Sequence, residues 1–344
     1  MNKKILHCIM IACIALPLFA SGQKEKGSGA DYPKKAITMI VPYGAGGTTD
    51  LTGRKFAINL QKELGVPVTV INQSGASGSV GAKAVLDAKP DGYTVFFTAE
   101  SLGTQRVMEI SDMSYADFSP IMAVVNDPKV IVVAKDSPYK TLSDLLDDMK
   151  AHPNKIKMSY TGPGGSGHVQ GLIFTQLGYV PAMTAYSSGA DCIVSVLGHQ
   201  VDFTNSNYST IVGYLKSGDL KLLGVSSSRR LTTYPNVPTL GDVDPAAVKY
   251  MDTAFSPLSF LVDKDVPADI EQILRDAALK VVQEDAWKTY VHDNSLEELY
   301  VQYPSIEDIN QFYADWESRT TWLLSDAGAT KRSPEEFNIP HPTL

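Results

Sequence analysis

An α/β protein of two lobes, with mostly parallel sheets covered by helices, is what this sequence predicts. Short apolar runs alternate with helical patterns, glycine-rich turns stand between them, and the chain is long enough for two cores. Strands alternating with helices imply crossover units, which lay neighbouring strands parallel and cover both faces of a sheet. At 344 residues and 44% hydrophobic the chain can bury more than one domain's worth of apolar surface.

Taken in order, residues 1–22 open with Lys3 and Lys4, continue through an apolar stretch from Ile5 to Ala20, and end in Ala20-Ser21-Gly22. Charged, apolar and small, in that order, is the pattern of a secretory signal peptide. The apolar run is too short for a membrane span. A lipoprotein signal places a cysteine at the cleavage point, whereas Cys13 lies inside the apolar run, so export without a lipid anchor is expected. Cys192 is then the one cysteine left, and no intramolecular disulfide can form. Residues 23–31 read as a flexible leader.

From Tyr32-Pro33 the elements follow one another: ITMIVPY at 37–43 then a helix, VTVIN at 68–72 then a helix over SVGAKAVLDA, and YTVFFTA at 93–99. IMAVVN and KVIVVAK come next, with a helix over 141–151 that Thr141 can cap. Three further strands, KMSYTG, AMTAY and VDFTN, precede helices at about 168–177, 190–198 and 208–216, and LKLLGVSS closes this part. After a proline-rich link come a strand at 256–262 and amphipathic helices near 267–284 and 305–325. In the first of these, Ile270, Ile273, Leu274, Ala277, Val281 and Val282 form one core-facing stripe.

The formal charge is −8, and the basic residues are scattered. Nucleic acid is not an expected partner, because that binding rests on a basic surface. An acidic protein can still hold an anion if local geometry supplies the field.

That geometry is carried by four glycine-rich loops, each leaving a strand and opening a helix: Gly44–Asp50, Ser74–Ser79, Thr161–His168 and Ser187–Asp191. Small residues let a ligand approach the backbone, and the unpaired N–H groups of a helix start attract anions. None of the loops contains Lys or Arg, so backbone dipoles and hydroxyls must do the holding. A single loop of this kind is usually only a tight connection, but loops at the carboxyl ends of strands gather on one side, where a crevice forms. Asp50 reads as a first-turn stabiliser, His168 as a hydrogen-bonding loop residue, and Tyr43, Tyr186 and Phe255 as walls of a pocket or of the core.

Catalysis has no visible residue set. Gly162–Gly167 fits G-x-G-x-x-G, but no acidic residue follows about 20 positions later to hold a ribose. Neither Gly164–His168 nor Gly75–Ser79 completes G-x-S-x-G. No catalytic residue, cofactor or metal is expected; the rival reading is an exported oxidoreductase or serine esterase using the Gly162–Gly167 loop.

At these residues the chain resembles the substrate-binding proteins of tripartite tricarboxylate transporters, the Bug-type receptors. The matching stretches include IVPYGAGGTTDLTGR (40–54), VTVINQSGASGSVGA (68–82), MSYADFSPI (113–121), YTGPGGSGH (160–168), AYSSGADCIVSVLGHQVDF (185–203) and GDLKLLGVSSSRR (218–230). The resemblance implies a type II periplasmic-binding-protein fold, with 32–130 and 228–344 forming one lobe and 131–227 the other. The chain would cross between them near 130–134 and 224–228. It implies a carboxylate ligand in the cleft, held on the first lobe by Gly46, Gly47, Thr48, Ser77 and Gly78 beside Tyr43. Thr161, Gly162, Gly165, Ser166, His168, Ser188 and Gly189 would close over it. A monomer in the periplasm, partnered by integral membrane transporter subunits, completes the expectation. Ser206 stands where relatives that hold an amino group often have Asp, which points to di- or tricarboxylates. Ser187-Ser188 replaces Lys-Gly, and Glu100 stands where its charge would repel an anion unless it meets a ligand hydroxyl or a cation.

Overall fold

A computed structural model describes residues 31–342; the expected signal peptide (1–22) and nearly all of the expected leader (23–31) lie outside the described residues. In chain order the first part comprises β1 (Ile37–Val41), α1 (Thr48–Leu64), β2 (Val68–Asn72), α2 (Ser79–Leu86), β3 (Thr94–Thr98) and β4 (Phe118–Asn126). The middle comprises β5 (Lys129–Ala134), α3 (Leu142–Ala151), β6 (Lys157–Thr161), α4 (Ser166–Gln176), β7 (Ala182–Tyr186), α5 (Gly189–Leu197), β8 (Phe203–Asn207), α6 (Tyr208–Ser217) and β9 (Leu220–Val225). The last part comprises α7 (Leu240–Val243), β10 (Pro257–Asp263), α8 (Ala268–Val281), α9 (Asp285–Asp293), β11 (Glu297–Glu298), α10 (Leu299–Gln302) and α11 (Ile306–Asp326).

These strands make two sheets, one to each lobe. The first has the order β11-β4-β10-β3-β1-β2 and the second β7-β6-β8-β5-β9. Expected parallel pairing holds where a helix intervenes, between β1 and its neighbours β2 and β3 and between β6 and its neighbours β7 and β8. The expectation of mostly parallel sheets is corrected beyond that: β10 lies antiparallel to β3 and β4, β11 to β4, and β5 to β8 and β9. Both sheets are therefore mixed. Asp127 and Pro128 alone carry the chain from β4 of the first sheet to β5 of the second. Strand β10 is the returning segment, inserted between β3 and β4.

Burial follows the sequence pattern. The run ITMIV forms a central strand with four of its five residues buried, whereas VTVIN alternates between exposed and half-buried as the edge strand β2. One face of the first sheet packs Val41, Val95 and Phe260 against Phe56, Leu274 and Trp287, and the other packs Ile40 and Phe96 against Ile309 and Phe312. The second sheet is covered in the same way, with Ile131, Met158 and Phe203 on one face and Val130, Val132 and Val225 on the other. Helix α3 begins at Thr141, whose side chain and that of Asp144 form a reciprocal capping box, each satisfying an otherwise unpaired backbone N–H.

The first passage between the sheets lies just before the expected 130–134, and the second falls within the expected 224–228. Strands β5 and β9 both belong wholly to the second sheet, so the chain crosses at Asp127–Pro128 and again after Val225, where Ser226 N donates to Lys129 O at 2.8 Å. At the crossing sits the fully buried Asp127, which accepts hydrogen bonds from Thr48 Oγ1 of the first lobe and Ser209 Oγ of the second.

The lobes are closed on each other. Ser77 Oγ donates to Pro163 O at 3.0 Å and Thr104 Oγ1 to Gly164 O at 3.0 Å. An apolar seam joins Val107, Met108 and Leu324 to Val169, Leu172 and Ile173 of α4.

Candidate functional site: a cavity between helix starts

Three helix starts meet in the cleft. α1 and α4 each begin after a glycine with no side-chain cap, Gly47 (φ −77°, ψ 167°) and Gly165 (φ −76°, ψ 167°). Their first N–H groups lack intrahelical partners, and each start carries the positive end of its helix dipole. α5 differs: its cap Ser188 accepts from Asp191 N at 3.1 Å and donates to the Asp191 carboxylate at 2.8 Å.

Glycine is required in this packing. Gly46 holds φ +80°, and a Cβ on Gly44 would lie 3.0 Å from Ser188 Cβ across the cleft. Asp50 braces the α1 loop from behind, accepting from Gly46 N, Asn72 Nδ2 and Arg54 Nε. It is structural, as its first-turn position foretold.

Between these starts lies a cavity of about 50 Å³. Of the anticipated residues, Tyr43, Gly47 and Thr48 line it from the first lobe, and Thr161, Gly165, Ser166, Ser188 and Gly189 from the second. An outer pocket of about 500 Å³ shares Tyr43 and Thr161 and is walled by Ser77, Gly78 and Gly162. Gly46 lies at the seam between the lobes, where an added Cβ would come within 3.6 Å of Ala190.

Besides Gly46, two anticipated residues line neither pocket. Ser206 is hydrogen-bonded to Thr210 at 3.0 Å, and its neighbour Asn207 lines the cavity in its stead. His168 lies outside both linings, stacked on Tyr160, with Nδ1 accepting from Gly164 N at 3.1 Å. It shapes the α4 loop, and burial holds its imidazole below the usual pKa.

Residues outside the loops supply what the loops lack. Lys129, at the start of β5 and 4% exposed, lines the cavity and donates to Asn207 Oδ1 at 2.7 Å. Burial lowers its ammonium pKa, against the pull of Glu100 and Asp127. The glycine-rich loops carry no positive side chain; Lys129 brings one to the cavity from the first residue of β5, next to the crossing. Glu100, 5% exposed on the turn after β3, reaches across the cleft to accept from Ser166 N at 2.7 Å and also accepts from Ser256 Oγ at 3.3 Å. Burial and the nearby Glu100 charge raise the Tyr43 phenol's pKa, keeping it a neutral donor that is hydrogen-bonded with Ser101. The described residues contain no cluster of His, Cys, Asp and Glu able to hold a metal, and no helix long and apolar enough to cross a membrane.

Comparison with known proteins agrees with this architecture. The chain is 30% identical over 239 residues to the protein BugT of Bordetella pertussis, covering 68% of this chain and 73% of that one. Among solved structures, the periplasmic binding protein BugD superposes with a TM-score of 0.80 at 24% identity, covering 88% of this chain and 100% of that one. A malate-bound protein from Rhodopseudomonas palustris gives 0.77 at 21% identity, covering 85% and 100%; these two likenesses establish the fold. Residues 52–328 match the model of the tripartite tricarboxylate transporter family receptor, and the chain belongs to that family of solute-binding receptors.

Proposed function

We propose that this receptor captures a small di- or tricarboxylate by closing its two lobes, 32–130 with 228–344 and 131–227, and hands it to the membrane subunits of a tripartite transporter. It works as a periplasmic monomer and leaves its ligand chemically unchanged. The observation that carries the reading is the meeting of uncapped helix starts from opposing lobes at one cavity that also holds a buried lysine. Such starts favour negative charge, each contributing up to ~2 kcal/mol when partly buried, so several together with an ammonium suit a carboxylate. The malate in the R. palustris structure is a ligand of this class. One carboxylate would be held at the α1 start by Gly47 and Thr48, with the remainder directed toward Ser77, Gly78 and Gly162 in the outer pocket.

Nothing favours the enzyme reading. His168 directs Nδ1 to Gly164 N and is not hydrogen-bonded to Ser166, as an esterase base would be.

Thermal unfolding against a panel of carboxylates, nicotinamide cofactors and a chromogenic ester tests the proposal. Ligand that binds only the folded state stabilises by about 2.7 kcal/mol at a hundred times Kd, so at least one di- or tricarboxylate should raise Tm saturably and be recovered unchanged. Stabilisation by a nicotinamide, turnover of the ester, or indifference to every carboxylate overturns it.

A further inference from the structure

The cavity holds two buried charges of opposite sign that the helix starts do not require. Lys129 and Glu100 are 4% and 5% exposed, and among the described residues neither has an ion-pair partner within 4.0 Å. A buried charge without a close counterion is costly, and buried charges are ordinarily paired or fully hydrogen-bonded. An ammonium has three donors, and Asn207 Oδ1 takes one from Lys129. A carboxylate has about four acceptor sites, and Ser166 N and Ser256 Oγ take two from Glu100. Each therefore has hydrogen-bonding capacity left beside the cavity that both line.

These two side chains ask different things of a ligand. Lys129 calls for an anionic oxygen. Glu100 repels one and calls for a donor hydrogen. An unsubstituted dicarboxylate would lay methylene groups against Glu100, removing water from the carboxylate without returning a hydrogen bond, which is more costly than never making the bond. A hydroxyl on the carbon beside the bound carboxylate answers both demands. An ammonium suits less well, because Lys129 already supplies the positive charge in the same small cavity.

We propose that Glu100 and Lys129 set the selectivity of the receptor for hydroxy-substituted carboxylates, the ligand carboxylate lying against Lys129 and its hydroxyl donating to Glu100. This deepens the carboxylate reading above and rests on it. Glu100 thereby does two jobs in the closed form, accepting from the α4 start of the second lobe and reading the ligand.

Calorimetric titration with matched pairs, malate against succinate and citrate against tricarballylate, with aspartate as a further arm, tests this on the wild-type protein and on E100A, K129M and K129Q. The wild type should favour the hydroxylated member of a pair by roughly tenfold or more, the worth of a hydrogen bond to a charged group. In E100A that advantage should shrink to about twofold or less, while K129M and K129Q should weaken both members of a pair by roughly tenfold or more. Should E100A fail to fold, E100Q keeps an acceptor oxygen without the charge and must still reduce the advantage. Carboxylates that bind the wild type without discrimination, an advantage that survives in E100A, or aspartate binding tighter than malate overturns the proposal while leaving the receptor reading intact. No binding by any carboxylate removes both.

Discussion

α4 and α5 open on the same cavity, yet they solve the problem of their unpaired N–H groups in opposite ways. α5 is capped by its own Ser188, with Asp191 closing the loop. α4 has no cap of its own and takes the Glu100 carboxylate from the other lobe. α1 shares the uncapped geometry of α4, with Gly47 and Gly165 within a degree of each other in φ. A self-capped start is complete within its lobe. An uncapped one is completed only from outside its helix, so glycine caps mark the places where closure or a ligand supplies the missing acceptor.

The largest test of this contrast is Gly47→Pro, which deletes one backbone donor at a φ that proline tolerates. We expect carboxylate affinity to fall roughly ten- to hundredfold, the loss of one charge-assisted hydrogen bond, with the ligand-free protein still folded by circular dichroism. Undiminished affinity would separate the α1 start from the ligand. Next in size, Ser188→Ala should lower stability to urea by about 1 kcal/mol, the usual worth of an N-cap, and change affinity less than Gly47→Pro does. A larger effect on affinity than on stability would place Ser188 among the ligand's partners and blur the contrast.

The smallest effect concerns pH. His168 accepts from Gly164 N and so must be neutral at Nδ1, and its folded pKa is lowered by burial. Its contribution to stability is fully present above the ordinary value of 6.5 and is lost as pH falls from there through the lower folded value. His168→Gln should flatten that part of the stability curve in urea unfolding series at stepped pH; an unchanged slope would assign it to other groups.

Much of this was legible in advance because it is local. VTVIN at 68–72, the Thr141 cap and the loops opening α1, α4 and α5 all follow from neighbouring residues. What escaped is non-local. The antiparallel neighbours β4 and β10 pair Asn126 with Pro257 across more than a hundred residues, and no periodicity reports such a pairing. Lys129 heads the run KVIVVAK, where a charge reads as a solvated strand end; only the narrow crossing beside β8 buries it against Asn207. Glu100 was conspicuous, but its direction depends on where Ser166 of the other lobe comes to rest. Ser206 and Asn207 are adjacent strand residues and point to opposite faces, and the pairing of β8 with β5 sets which one meets the cleft.

The Asp127 knot at the crossing has a mechanical consequence. Thr48 and Ser209, one from each lobe, meet on a single carboxylate beside the short peptide link, so this place is the fulcrum of any rotation of one lobe against the other. Displacement in such a rotation grows with distance from the axis. The tips, where Ser77 meets Pro163, sweep the widest arc, whereas the start of α1 barely travels. Spectroscopic labels straddling the tips would therefore register opening that a pair beside Asp127 would miss.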